Sequence, residues 1–369
     1  MGGGTLGHTI PNLAVIADFK TRSLKHEVLY IGEHAGVEKD FVMKFAVSHG
    51  FRVEVREIIC GKMRRYFSFQ NFLDFFKVPV GIIQSIFILA SFKPQVVFSK
   101  GGYVSVPGVI ACGFLNFFRK IFGKERIVLF VHESDVVPGI ANRVGAKFAD
   151  KIFVSFEESK KYFKKKSRVV VTGNPVRKDV LKGNKENGMK LCGFNRFKPV
   201  ILVMGGSLGA MQINNLVWGN LDELLKRYQI VHIAGKGNIK FGLKKEGYKQ
   251  FELLFEELKD VYAVSDLVVT RGGANSLAEI ASMEKKAVVI PLGMASSRGD
   301  QIVNAKICSS EYGWQVLYGD VSSEQFRLAI DIAIGTEFAG GFSGGFSGGK
   351  NNLHIKAASV IVDMIYGLS

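Results

Sequence analysis

The run Val200-Ile201-Leu202-Val203-Met204-Gly205-Gly206-Ser207-Leu208-Gly209-Ala210 passes from five apolar residues straight into a glycine turn, and a helix-length segment, Asn214–Tyr228, follows. Strand, glycine turn and helix in this order set backbone N–H groups at a helix N-terminus, where they can meet a phosphate. Outward from this run, short apolar segments alternate with longer mixed ones. Val28–Ile31, Val96–Ser99, Ile127–Val131, Ile152–Ser155 and Val169–Thr172 precede it; Ile230–Ala234, Leu267–Thr270 and Ala287–Pro291 follow. Buried strands alternating with helices predict an α/β chain of doubly wound parallel sheets covered on both faces.

The turn has an echo. Gly3-Gly4-Thr5-Leu6-Gly7 near the start matches Gly205-Gly206-Ser207-Leu208-Gly209. Two copies opening two α/β halves predict two Rossmann-like domains facing each other across a cleft, and 369 residues suit two domains. The polar segment Lys182–Lys198 separates the halves. The expected division is therefore 1–182, 183–352 and a closing amphipathic helix within 353–369. The tandem glycine, phenylalanine and serine repeat over 340–349 reads as a low-complexity loop without chemistry.

Hydrophobic residues at 47% and charged residues at 22% exclude disorder as the dominant state. Cys60, Cys112, Cys192 and Cys308 are scattered, so a disulfide framework or structural zinc site is not expected, and a reducing cytosol suits them. Met1 leads into Gly2-Gly3-Gly4 with no basic or apolar leader pattern. Neither Val78–Phe92 nor Gly101–Phe118 reads as a membrane span, because one is short and the other carries four glycines and Pro107. The charge is uneven: residues 1–190 hold 31 Lys and Arg against 16 Asp and Glu, and residues 191–369 hold 18 against 17. A basic first half predicts an anionic partner: nucleic acid, acidic lipid or a phosphorylated substrate.

There is no P-loop, HExxH, GxSxG or Asp-x-Asp element. What remains is a series of glycine turns with polar neighbours at strand ends: Gly3–His8, Gly101-Gly102-Tyr103, His132-Glu133-Ser134-Asp135, Gly173–Arg177, Gly205–Ala210, and Arg271–Ser276 running on to Glu279. Residues just past strand C-termini line the ligand crevice of open α/β sheets.

This ordered series resembles the peptidoglycan N-acetylglucosaminyltransferases of the MurG type. Their GGTxGH opening resembles Gly3–His8, their GGY–P–G turn Gly101–Gly108, and their HE pair His132-Glu133. Their GNPVR, GGSxGA and late Gln with a following Asn resemble Gly173–Arg177, Gly205–Ala210, and Gln301 with Asn304. Their serine- and glycine-rich turn resembles Gly272–Glu279, and the likeness runs in order from residue 3 to about 315. The resemblance implies a GT-B fold, UDP-N-acetylglucosamine as donor, and an undecaprenyl-linked muramyl-pentapeptide as acceptor, joined with inversion to a β-linked disaccharide. It places the donor on the second half. Glu279 would take the ribose hydroxyls, Ser207 with its turn the diphosphate, Arg177 the nucleotide, Phe255 the uracil and Gln301 the sugar hydroxyls. Ala274, Asn275, Ser276, Leu277 and Ala278 would line the same site, and Thr5, Leu6 and Gly7 would approach from the first half.

Each residue also has a plainer use: Glu279 as an exposed helix residue, Arg177 in a surface ion pair, Gln301 or Ser207 as a cap. Their joint order favours the site. A single displacement with inversion needs a base for the acceptor hydroxyl and stabilisation of the departing UDP. His8, with an unperturbed pKa of about 6.5, is the leading base. Helix N-termini around Ser207 would serve the leaving group, so neither a cofactor nor a tightly bound metal is expected. Two positions depart from the family. Leu6 stands where glycine is usual, and Asp135 stands where asparagine is usual, which makes Asp135 a rival base or an orienter of His8.

Lys62, Arg64, Arg65 and Lys77 flank Tyr66, Phe67, Phe69, Phe72, Phe75 and Phe76, a pattern suited to an anionic membrane surface. Peripheral attachment at the cytoplasmic face of the cell membrane is the expectation. Alternatives are another GT-B glycolipid transferase, a UDP-N-acetylglucosamine 2-epimerase and a basic nucleic-acid-binding protein. No nucleic-acid-binding module is recognisable, so nucleic acid is not expected as a partner. Finally, Gly205 leaves an apolar strand whereas Gly2 follows only Met1. The first sheet is therefore expected to want a central strand of roughly five to eight apolar residues ahead of Met1.

Overall fold

The apolar runs become strands, and the chain sorts them into two units: Met1–Arg177 with Leu353–Ser369, and Lys178–Asn352. The structure, a computed structural model, describes residues 1–4, 6–22, 26–36, 38–61, 69–195, 197–206, 208–294, 299–335 and 348–367.

The first unit opens with helix α1 (Leu6–Thr21), then β1 (Leu29–Glu33), α2 (Glu38–Ser48), β2 (Glu54–Ile58), α3 (Phe69–Phe92) and β3 (Val96–Ser99). It continues through α4 (Ser105–Ile121), β4 (Val128–Glu133), α5 (Ile140–Phe148), β5 (Lys151–Val154) and β6 (Val169–Val171). All its pairings are parallel, but they form two sheets. β1 pairs with β2, while β3-β4-β5-β6 form a separate sheet of four. β4 is buried along nearly its whole length, as a strand covered on both faces must be.

The second unit runs α6 (Lys185–Cys192), β7 (Val200–Met204), α7 (Met211–Gly219), α8 (Leu221–Arg227), β8 (Gln229–Ile233), β9 (Tyr248–Phe251) and α9 (Leu258–Val264). Then come β10 (Leu267–Thr270), α10 (Ala274–Ser282), β11 (Lys286–Val289), α11 (Asp300–Tyr312), β12 (Gln315–Val316) and α12 (Ser323–Gly335). Its six strands make one parallel sheet in the order β12-β11-β10-β7-β8-β9. The order reverses beside β7, so the glycine turn after Met204 sits at the switch point, where such sheets open a crevice.

The last helix, α13 (Gly348–Tyr366), returns to the first unit. Ala358, Ile361, Val362 and Ile365 pack with Ala14 and Val15 of α1 over Phe130 of β4 and Phe153 of β5. Arg22 pins the contact by bonding Asp18, Asp363 and the Ser359 hydroxyl and carbonyl.

Two readings change. The polar stretch Lys182–Lys198 contains a helix, α6, capped by the Asn184 side chain accepting from Asn187 N at 2.9 Å and ended by Gly193 at φ 70°. Asn214–Tyr228 is two helices, because Asn220 leaves helical geometry and is buried. Its amide donates to Leu216 O at 2.7 Å and to Ser323 Oγ at 3.0 Å, and its carbonyl accepts from Arg327 at 2.6 Å.

Candidate active site

In the first unit the polar residues gather past the C-terminal ends of β1, β3, β4 and β6. The Gly2–Gly4 turn is held by side chains: Tyr30 OH donates to Gly2 O, and Gly4 N donates to the buried Glu38 carboxylate. A Cβ on Gly3 would come within 2.7 Å of Glu38, and one on Gly2 within 2.9 Å of Asn12. Glycine is therefore required there by packing as well as by φ 156° at Gly2 and 86° at Gly4. Tyr103 bonds Glu33 and lies against Gly4, with its phenol pKa raised by burial and by that carboxylate.

α1 begins directly after this turn, so Leu6, Gly7 and His8 form its first helical turn. Thr5 lies outside the described residues. The half-buried His8 ring sits where a Cβ on Gly102 would fall, 2.8 Å away, so Gly102 is needed for His8 to pack. The second turn, Gly101 at φ 89° and Gly102 at φ 80°, thus meets the first through His8.

Glu133 is buried and organises the loop that follows it. Its carboxylate accepts from Asp135 N, Gly139 N and Asn142 Nδ2, each at 2.9 Å. Asp135 is half-buried on that loop. Lys100, 1% exposed, donates to Ser134 Oγ, which in turn reaches Asn174 at 2.8 Å. Burial lowers the Lys100 pKa to about 8, and the nearby Glu133 and Asp135 carboxylates oppose that shift. His132 Nε2 meets Gly173 O at 2.9 Å, and burial holds its pKa well below the usual range. It is a framework residue, unlike the more open His8. His354 of α13 accepts from Asn174 N at 2.9 Å, with burial lowering its pKa to about 4. Arg177, buried, closes the unit's Gly173–Arg177 segment.

In the second unit β7 feeds the glycine turn, with Gly206 at φ 88° and Gly209 at φ 76°. Gly209 packs against Ala234 at the end of β8, leaving no room for a side chain. α7 starts after Ala210 without a side-chain cap, and Leu208 stands 81% exposed at the turn's tip. Ser207 lies outside the described residues. α10 likewise follows Gly273 without a side-chain cap. Ala274, Leu277 and Ala278 are buried, while Asn275 and Ser276 are half-exposed.

Glu279 is buried rather than exposed, which corrects the plainer reading of it, and it accepts from Tyr262 OH at 3.1 Å. Gln301, in the first turn of α11, lies against Gly272, and its amide oxygen accepts from Leu292 N at 3.1 Å. Asn304 reaches Gly272 O at 3.1 Å. Phe255 is 43% exposed before α9. The structure thus brings Gln301, Asn304 and the Gly272–Glu279 turn together. Sequence reasoning missed the supports: Glu38, Tyr30 and Lys100 in one unit, and Tyr262 in the other. Arg271 donates to Gln212 at 2.9 Å and Ile290 O at 3.2 Å, partners that its turn motif does not announce.

Comparison with known proteins bears on this arrangement. Residues 1–154 match the glycosyltransferase family 28 N-terminal domain, and residues 200–331 match the C-terminal domain of that family. A Bacillus cereus protein named UDP-N-acetylglucosamine--N-acetylmuramyl-(pentapeptide) pyrophosphoryl-undecaprenol N-acetylglucosamine transferase 2 is 46% identical over 318 residues, 86% of this chain and 85% of that one. A transferase of the same description from Clostridium tetani is 44% identical over 83% of this chain and 80% of its own. Among solved structures, Acinetobacter baumannii MurG aligns with a TM-score of 0.65 at 19% identity, over 99% of this chain and 97% of that one. UDP-GlcNAc 2-epimerase from Neisseria meningitidis aligns at 0.64 and 15%, over 98% of each chain, so these two likenesses speak for the fold alone.

Proposed function

The chain belongs to glycosyltransferase family 28, and on that premise we propose that it transfers N-acetylglucosamine from UDP-N-acetylglucosamine to an undecaprenyl-pyrophosphoryl muramyl-pentapeptide in peptidoglycan assembly. The observation that carries this reading is identity of 46% extending over 318 residues, a span that requires both units. The 2-epimerase likeness is one of fold, at 15% identity.

The second unit supplies the donor side in this reading. The Glu279 carboxylate, fixed by Tyr262, accepts from the ribose hydroxyls, and a charged acceptor makes the stronger bond there. The Gly205–Ala210 turn, with Ser207 and the α7 N-terminus, receives the diphosphate. Gln301 takes sugar hydroxyls, Phe255 borders the uracil, and Asn275 and Ser276 line the site with the α10 backbone. In the first unit, Thr5, Leu6, Gly7 and Arg177 are the residues assigned to substrate contact in this reading. The acceptor hydroxyl attacks the anomeric carbon as its bond to the UDP oxygen breaks. His8 removes the hydroxyl proton, and the bonding pair departs on UDP. Asp135 orients His8 or replaces it as base.

The acceptor's lipid carrier fits a surface of the first unit. Phe76, Val80, Ile83 and Phe87 form an exposed stripe on α3, and Phe114, Phe117, Phe118 and Ile121 form another on α4, with Phe122 just past its end; α4 packs on α3. Lys120 and Lys124 stand exposed beside them. Exposed apolar stripes edged by lysine suit an anionic membrane face and support a reading in which the enzyme sits peripherally on the cytoplasmic side. Among the described residues no helix is long and apolar enough to cross a membrane. Lys62, Arg64, Arg65, Tyr66 and Phe67 lie outside the described residues, as do the side chains of Phe69, Phe72 and Phe75; Lys77 pairs with Asp74 at 2.7 Å. Incubation with UDP-N-acetylglucosamine and the lipid-linked muramyl-pentapeptide should release UDP, and omission of the acceptor should abolish release.

A further inference from the structure

The second unit holds a buried polar chain that the site as described does not use. Trp218 Nε1 lies 3.1 Å from Tyr248 OH, Tyr248 OH lies 2.9 Å from His232 Nδ1, and His232 Nε2 lies 2.9 Å from Asn214 Oδ1. Asn214 Nδ2 then reaches Ala234 O at 2.9 Å. Asn214 and His232 are fully buried, and Tyr248 nearly so. Asn214 and Trp218 stand one helical turn apart on α7, His232 lies on β8 with Ala234 just past its end, and Tyr248 opens β9. The chain therefore fastens one face of α7 to two strands.

Its two ends fix every proton. An indole N–H can only donate and a backbone carbonyl can only accept. Asn214 must therefore turn its amide nitrogen to Ala234 and its oxygen to His232, so Nε2 carries the ring proton. Burial lowers the His232 pKa to about 4, so at neutral pH the ring has no second proton. Nδ1 is then a bare acceptor for the Tyr248 hydroxyl, whose oxygen receives the indole N–H. All four bonds run in one direction. The other tautomer would set two acceptors face to face, and an imidazolium would strand the Tyr248 hydroxyl proton; a buried polar group left unmatched is costly.

The chain ends where the glycine turn is seated. Ala234 O, its last acceptor, is the atom that a Cβ on Gly209 would strike. Asn238 Nδ2 donates to the same carbonyl at 3.2 Å and to Leu208 O at 3.0 Å. One carbonyl thus ties α7, through Asn214, to the Gly205–Ala210 turn, through Gly209 and Asn238. α7 has no side-chain cap, so the chain holds the helix by its flank and leaves its N-terminus to a ligand. On the reading that this turn receives the diphosphate, we propose that His232 is a positioning residue for it: the Nε2–H tautomer holds the α7 N-terminus and the glycine turn in one register before the donor arrives.

Two amide substitutions separate the halves of the chain. Glutamine places its amide nitrogen near the position of Nε2 and can still donate to Asn214. Asparagine is shorter, reaches toward Tyr248 and leaves Asn214 Oδ1 without a donor. The experiment is calorimetric titration at neutral pH of UDP, and of uridine, which has no phosphate, into the full chain and its variants. His232→Gln should bind UDP within about twofold of the parent and His232→Asn roughly tenfold more weakly, with uridine affinity unchanged in all three. If His232→Asn melts too low to titrate, Tyr248→Phe makes the comparison from the other end. It removes the donor to Nδ1, and UDP should weaken about threefold with uridine again unchanged. UDP affinity equal to the parent's in His232→Asn or Tyr248→Phe would overturn the inference. So would parallel losses of UDP and uridine, since a merely destabilised unit lowers both. A parent chain that binds uridine as tightly as UDP would overturn the diphosphate reading itself, and the role of His232 with it.

Discussion

The two units share a glycine turn followed by a helix, and different neighbours hold that turn in each. In the second, β7 is buried throughout and lies between β10 and β8, so the Gly205 turn leaves the middle of a six-stranded sheet. In the first, the Gly2 turn leaves a single residue in strand register, and the parallel strands stand as two groups. Side chains hold the turn of the first unit. Glu38, Tyr30 and Tyr103 brace its turn, and α13 is recruited from the far end of the chain to cover its sheet. A glycine turn can thus be positioned by a buried strand or by a ring of polar side chains, and the two supports should respond differently to perturbation.

The largest expected effect lies on the side-chain-braced turn. His8→Ala should lower turnover by roughly 10²–10⁴-fold while leaving UDP affinity nearly unchanged. If Asp135→Asn costs more in kcat than His8→Ala, the two roles are reversed. The strand-braced side should show the opposite split. Glu279→Ala should weaken UDP binding by on the order of 1.5–3 kcal/mol, read by calorimetric titration. Tyr262→Phe should weaken it less, because the carboxylate survives and loses only a positioning bond.

Acid should test both units together. His354 in the first and His232 in the second are buried with pKa values lowered by burial to about 4, against about 6.5 in an unfolded chain. Between those values the unfolded chain binds more protons, so stability is fully present above pH 6.5 and falls as pH drops toward 4. Each histidine should contribute on the order of 3 kcal/mol to that loss, followed by melting at stepped pH. A His232→Gln variant should flatten only the second unit's share. The smallest effect belongs to the surface. Lys120→Glu with Lys124→Glu should reduce binding to anionic vesicles by about 1 kcal/mol per residue at low salt, and equal binding would remove these lysines from the interface.

Much of the fold was legible because central strands announce themselves. Val200–Met204, Leu267–Thr270 and Val96–Ser99 are apolar runs ending in turns, and they fold as read. The strands that escaped notice, Glu54–Ile58, Tyr248–Phe251 and Gln315–Val316, all lie at sheet edges, where one side meets solvent and charged residues are tolerated. The break at Asn220 depends on Ser323 and Arg327, more than a hundred residues away, which no local pattern can reveal. The site shows the same division. Glycine turns and Glu279 stand out by motif, whereas Glu38, Lys100 and Tyr262 act through tertiary contacts. The aromatic stripe on α4 is hard to see in the sequence because Gly108, Gly113 and Pro107 interrupt the apolar pattern that leads to it.

The most direct test of the account is UDP release measured with purified chain, UDP-N-acetylglucosamine and undecaprenyl-pyrophosphoryl muramyl-pentapeptide in detergent or vesicles. Stoichiometric UDP and disaccharide-bearing lipid that appear only when both substrates are present are the predicted result. UDP release that is independent of the acceptor, or a free epimerised sugar as the product, would contradict the proposed transfer.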